Sequence, residues 1–154
     1  MGDRFDLNRF LEAQNPVYER VCSELRQGRK ASHWMWFVFP QIAGLGVSEM
    51  SRRFSISSLG EAWEYLNHPV LGPRLEECTR LVCSIEGKTI RDIMGFPDDM
   101  KFRSCMTLFS RATETPDIFK KALERYFSGE PDALTLERIR DLEDPGPGRK
   151  SEGR

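Results

Sequence analysis

The side chains with chemistry to offer cluster between Lys30 and Ser48. The run His33-Trp34-Met35-Trp36-Phe37-Val38-Phe39-Pro40-Gln41 holds one of the two histidines and two of the three tryptophans of the chain. Aromatic rings bury large apolar areas, whereas an indole N–H, an imidazole and a carboxamide each demand a hydrogen-bond partner, so the block must be core, ligand pocket or both. It leads into Gly44, Gly46 and Ser48 ahead of an expected helix. Two glycines let backbone N–H groups converge and a helix start adds partial positive charge, which would make an anion cradle; the plainer alternative is a turn closed by a Ser48 cap. Lys30, Arg74 and Lys101 could supply cations to such a pocket, with Trp36 or Trp34 as a stacking face, and a phosphate-bearing or nucleotide-like metabolite would fit that chemistry.

His33 and His68 titrate nearest neutrality and each stands beside an expected helix boundary, so capping competes with function at both. A general base would need one of them to meet Ser48 or Ser104, and no nucleophile elbow or triad spacing is present, so no catalytic residue is assigned. The candidate binding set is Lys30, His33, Trp36, Gln41, Gly44, Gly46, Ser48, His68, Arg74, Lys101 and Ser104. Two distant histidines and Asp98-Asp99 make no recognised metal-ligand pattern, so neither a metal nor another cofactor is expected. The rival reading is a protein-interaction module without catalysis, in which Trp34 and Trp36 form an exposed aromatic patch. Its structural counterpart has both rings in the core and every cation solvated.

Composition narrows the partners. With 23 basic against 24 acidic residues the chain has no global field to attract a nucleic-acid polymer. The longest apolar run, Trp34 to Phe39, is far short of the roughly 20 residues a membrane helix needs, and Met1-Gly2-Asp3-Arg4 is unlike a signal peptide, so the expected location is cytoplasmic. Cys22, Cys78, Cys83 and Cys105 show no Cys-x-x-Cys spacing and read as buried thiols. On one helix Cys78 and Cys83 would point about 140° apart, which argues against a disulfide between them. The oligomeric state is left open by these features.

The elements that must position these residues are short helices. Leu7, Phe10 and Leu11 follow helical spacing, and Asn15-Pro16 reads as a cap and first position of a second helix that Gly28 ends. A buried short helix is expected over Trp34 to Phe39, stopped by Pro40, then one from Ser48 to about Phe54. Ser58-Leu59-Gly60-Glu61 reads as a capping box for a helix to about Asn67. After the break at His68-Pro69, Leu71, Leu75, Cys78 and Val82 make one apolar stripe, closed by Gly87. Thr89 caps a short helix ending at Gly95, Pro97-Asp98-Asp99 starts another, Thr115-Pro116 the next up to Gly129, and Leu134 to Leu142 the last. The expectation is an all-α, single compact domain of about nine short helices over residues 1–144, not a simple bundle, followed by a disordered tail at 145–154.

These residues also resemble a family. Asp6 to Phe10, Ala13-Gln14, Tyr18, Lys30, Ser32 to Trp36, Phe39-Pro40-Gln41, Gly44-Leu45-Gly46 and Ser48 are similar to the signature of domain-of-unknown-function family 1810, small and mainly bacterial proteins. The likeness continues through Tyr65-Leu66, His68 to Gly72, Arg74-Leu75, Gly95, Pro97-Asp98, Lys101, Ser104 and Met106 to Phe109. Phe54 and Ile93-Met94 depart from the usual pattern. The resemblance implies an all-α fold and no established activity. The calpastatin label carried by some members conflicts with so many core-forming aromatics, because inhibitory repeats of that kind are disordered.

Overall fold

The computed structural model describes residues 3–143, and the tail expected at 145–154 lies outside them. Within that span the chain folds into ten helices: α1 (Asn8–Gln14), α2 (Tyr18–Arg26), α3 (Met35–Val38), α4 (Glu49–Arg53), α5 (Leu59–Asn67), α6 (Leu71–Cys83), α7 (Ile90–Met94), α8 (Asp98–Ser110), α9 (Asp117–Phe127) and α10 (Ala133–Glu143). The all-α expectation holds. The single extended pairing among these residues is a parallel bridge between Ile42 and Ile56.

Helix α8 is the axis of the core. Phe102, Cys105, Met106, Thr107, Leu108 and Phe109 are all fully buried, which on a helix means that neighbours cover it on most sides. Aromatic pairs lock the surrounding helices to it: Phe39 lies edge-on to Phe102 at 5.0 Å, and Phe10 lies edge-on to Tyr65 at 5.1 Å, which in turn meets Phe109 in a tilted contact at 5.3 Å. The expected stripe Leu71, Leu75, Cys78 and Val82 is the buried face of α6.

Two expected helix starts are corrected. The second helix begins at Tyr18 rather than Pro16, because Asn15 is itself helical and closes α1 by donating its N–H to Leu11 O at 2.9 Å. An N-cap needs extended backbone, so Asn15 cannot serve both helices. The capping box at Ser58 is half made: Ser58 Oγ accepts from Glu61 N at 3.1 Å, but the Glu61 carboxylate turns away to Ser57 N and Oγ, both at 2.8 Å. The reciprocal box is complete at Thr89 and Asp92 instead.

At the α5–α6 junction the chain reverses so tightly that a Cβ on Gly72 would collide with the backbone carbonyl oxygen of Leu66. Backbone cannot yield as a side-chain tip can. Gly72→Ala should therefore lower stability by about 3 kcal/mol, the upper end of overpacking costs. Thermal unfolding reads this directly, and an unchanged Tm would mean that the junction is looser than described.

Candidate functional site

Three segments build the site. Helix α2 ends through Gly28 at φ +82°, the left-handed conformation that glycine adopts at low cost, and the next turn delivers Lys30, whose N–H donates to Ile93 O at 2.7 Å. From the last turns of α2, Glu24 reaches back over the following segment. Its carboxylate accepts from Ala31 N (2.8 Å), Ser32 N (3.1 Å), Ser32 Oγ (2.6 Å) and Trp34 Nε1 (2.9 Å). That sets the two tryptophans apart. Trp34 is 1% exposed with its indole N–H satisfied, so it belongs to the core, while Trp36, two residues on in α3, is only partly buried.

The third segment is the first turns of α8, where Asp98, Lys101 and Ser104 recur at three-residue spacing on one face. Asp98 is shared: Lys30 Nζ lies 2.8 Å from its Oδ2 and Lys101 Nζ 3.0 Å from its Oδ1. The Lys30 side chain is only 8% exposed. Burial works against ionisation of Asp98, yet the two lysines hold its carboxyl below the ordinary range. Each ammonium also faces an indole, Lys30 at 5.2 Å from the Trp34 ring centre and Lys101 at 4.6 Å from that of Trp36.

Trp36 and Lys101 form the wall between two lobes of one cleft. The first lobe, about 290 Å³, is lined by Lys30, His33, Trp34, Met35, Phe37, Met50 and Asp98 beside that wall. The second, about 240 Å³, is lined by Gln41, Gly46, Met100, Ser104, Asp132 and Leu134 among others. Gln41 is 8% exposed, and its Nε2 is the one buried side-chain nitrogen or oxygen without a hydrogen-bond partner among the described residues. A native interior seldom leaves a donor so unless something else meets it.

Of the candidate residues, Lys30, His33, Trp36, Gln41, Gly46, Lys101 and Ser104 thus border this cleft. Gly44 stands behind it, at φ +97° against the Arg138 guanidinium, whose Nε donates to Ala43 O at 3.0 Å. Ser48 spends its side chain as the cap of α4, accepting from Ser51 N at 3.1 Å. The five-residue α4 brings too few aligned peptides for a strong dipole, so the loop is a turn with a cap here. His68 and Arg74 lie elsewhere. His68 Nδ1 accepts from Val70 N and Leu71 N at 3.0 and 3.2 Å, capping α6, and Arg74 bonds Gln14 Oε1 at 3.2 Å with its guanidinium over Tyr18.

Sequence reasoning missed Glu24 altogether and took Asp98 for a helix-start residue only. The one local signal was the Asp98/Lys101 spacing of three on a helix. A larger groove of about 630 Å³ lies between the end of α8 and α9, lined by Arg111, Glu114, Lys120 and Glu124. Its charges alternate in sign, and it holds no orphaned polar atom, so its size alone does not make it the better site. Among the described residues no cluster could hold a metal ion, and no helix is long and apolar enough to cross a membrane.

Comparison with protein families matches residues 4–139 to DUF1810, described as a protein of unknown function. The chain belongs to the DUF1810 family. Among solved structures, this DUF1810 protein is similar to the conserved hypothetical protein Rv1873 from Mycobacterium tuberculosis. The TM-score is 0.87 at 54% identity, covering 88% of this chain and 96% of that one. No curated protein matches the chain.

Proposed function

We propose that the cleft binds a small anionic metabolite with a planar ring, nucleotide-like in its chemistry. The observation that carries this is the Lys30-Asp98-Lys101 cluster: two ammonium groups share one carboxylate beside the partly exposed face of Trp36. That cluster carries one surplus positive charge in a partly desolvated setting, where an anion gains more than it would at the surface, while Asp132 offsets it toward the second lobe. A ring can stack on Trp36 in the place where Lys101 now lies. Gln41 supports the same reading, since its unmatched donor borders the second lobe. Four unpaired cysteines are in keeping with a cytoplasmic setting.

The test is thermal unfolding of the purified protein with nucleoside monophosphates, nucleoside diphosphates and sugar phosphates, beside Lys101→Ala and Gln41→Met. A compound at 100 times its Kd should add about 2.7 kcal/mol to stability. The shift should vanish in Lys101→Ala and shrink in Gln41→Met. Without ligand, Gln41→Met should be the more stable protein by about 1 kcal/mol, because it removes an unsatisfied buried donor at similar volume. A Gln41→Met protein less stable than wild type would show that the carboxamide is already satisfied.

A second reading keeps a specific observation behind it. Met50, Met100 and Leu134 border the cleft and are exposed, which suits a protein partner docking over it. Trp34, which the sequence placed in that patch, is buried and takes no part. If no compound in the library moves Tm, the rim becomes the better candidate, and capture of a partner abolished by Met100→Asp would establish it.

A further inference from the structure

The two lobes of the cleft differ in charge. The first holds the Lys30 and Lys101 ammonium groups against the single carboxylate of Asp98, whereas the second has Asp132 in its lining and apolar walls from Trp36, Leu45, Pro97, Met100 and Leu134. A phosphate therefore belongs in the first and a ring in the second. At about 290 and 240 Å³ the lobes together suit a nucleotide that bridges them past Lys101.

Asp132 is a carboxylate held still. Its backbone N–H donates to Thr107 Oγ1 on the buried body of α8 at 2.8 Å, and its Oδ2 caps α10 by accepting from Thr135 N at 2.9 Å and Thr135 Oγ1 at 2.6 Å. Among the described residues Oδ1 has no hydrogen-bond partner. Gln41 is its counterpart in the same lobe, with a side chain nine-tenths buried and an unmatched Nε2 donor. That nitrogen is turned away from solvent, and rotation about the terminal side-chain torsion, which is broad and roughly twofold, presents it to the lobe. The lobe thus offers a neutral donor and a charged acceptor that no described residue meets.

Resting on the reading of the cleft as a nucleotide-like site, we propose that the second lobe is a guanine pocket whose specificity is set by Asp132 and Gln41. The guanine edge presents an acceptor and two donors in a row: O6, N1–H and the 2-amino group. A carboxylate takes the two adjacent donors as a charge-assisted bidentate pair, and the Gln41 amide donates to O6. Trp36 supplies the face on which the ring stacks. Gln41 can also turn its oxygen to an amine, so Asp132 carries the discrimination against adenine, whose N1 is an acceptor facing a carboxylate. Hypoxanthine keeps N1–H but lacks the 2-amino group, and xanthine sets a carbonyl oxygen at that position.

Titration calorimetry of the full-length protein with the monophosphates of guanosine, inosine, adenosine and xanthosine, and with ribose 5-phosphate, tests this. The guanosine compound should bind about tenfold more tightly than the inosine one and about a hundredfold more tightly than the adenosine one, the span that a bidentate contact to a base commands. Asp132→Asn keeps the cap of α10, because asparagine caps as well as aspartate, so its Tm should stay near that of the wild type. Its preference should move from guanosine to xanthosine monophosphate, whose 2-carbonyl accepts from the amide. A residue that only capped α10 would leave the order of the bases untouched. Guanosine and adenosine monophosphates binding alike, ribose 5-phosphate binding as tightly as either, or an unchanged order in Asp132→Asn would overturn the guanine pocket and leave the anion site standing. Binding by none of these compounds would overturn both.

Discussion

Replacing Arg9 with alanine should lower the unfolding free energy by about 4 kcal/mol, the range found when one partner of a buried ion pair is removed. Arg9 on α1 spends its whole guanidinium. Its Nη2 reaches Glu61 Oε2 at 3.0 Å and Ser55 O at 2.7 Å, its Nε reaches Arg53 O at 2.7 Å, and its Nη1 bridges Phe5 O and Asp6 O at 2.6 and 2.8 Å. The Glu61 side chain is 3% exposed. Without Arg9 its charge would keep only the Ser57 N–H and hydroxyl, and four backbone carbonyls would each lose a donor. Arg9→Lys should recover little, since a single ammonium cannot serve five acceptors in a plane. Urea unfolding of both variants measures this. A loss below about 1 kcal/mol in Arg9→Ala would place the pair with ordinary surface ion pairs.

The same pair shows where sequence stops being legible. The spacing from Ser58 to Glu61 correctly located the start of α5, because the serine half of a capping box depends only on local geometry. The glutamate half failed because Arg9, from another helix, offers a charged donor, and the chain has no local mark of that competition. The stripe of α6 and the short helix after Trp34 were legible for the opposite reason: apolar periodicity and proline stops act within a few residues. At the cleft, residue types pointed to Lys30, Trp36, Gln41 and Lys101, and the fold brings them together. The same logic also drew in Arg74 and His68, equally charged or titratable, whose partners Gln14 and the start of α6 only the fold reveals. Which cations converge depends on how α2, α3 and α8 cross, and that is decided by packing.

Those crossings explain why a cleft with solvent-facing charge sits on so apolar a foundation. Trp34 and Phe39 anchor α3 in the core, which forces Trp36 between them to the edge, and the buried body of α8 fixes Asp98 and Lys101 at its open end. The lysines are thus held by a rigid frame, which cuts the ordering cost of binding. The proposed ligand recognition and stability meet in the residue that sets the angle of this frame.

Glu24→Ala should accordingly cost about 4 kcal/mol and disable the cleft together. Hydrogen bonds to a charged acceptor contribute roughly 1.5–3 kcal/mol each, less where water can replace them, and a buried indole N–H left unmatched carries a further penalty. Among the described residues Trp34 Nε1 has no other acceptor, whereas Ala31 N lies where water can substitute. Glu24→Gln keeps one oxygen and should fall midway. The pH dependence follows in sign. Burial raises the Glu24 carboxyl, but its bonds from Ser32, Ala31 and Trp34 outweigh that and hold it below its ordinary value of 4.5. A folded-state value below the unfolded one contributes stability above about pH 4.5 and loses it as pH falls through the folded value. The wild-type protein should therefore lose stability more steeply than Glu24→Gln on acidification below that point, as followed by thermal unfolding at stepped pH. Parallel curves for the two proteins would mean that Glu24 carries no charge-dependent share of the frame. Loss of any ligand-induced shift in Glu24→Gln, with Lys30 and Lys101 intact, would show that the site is held together from behind.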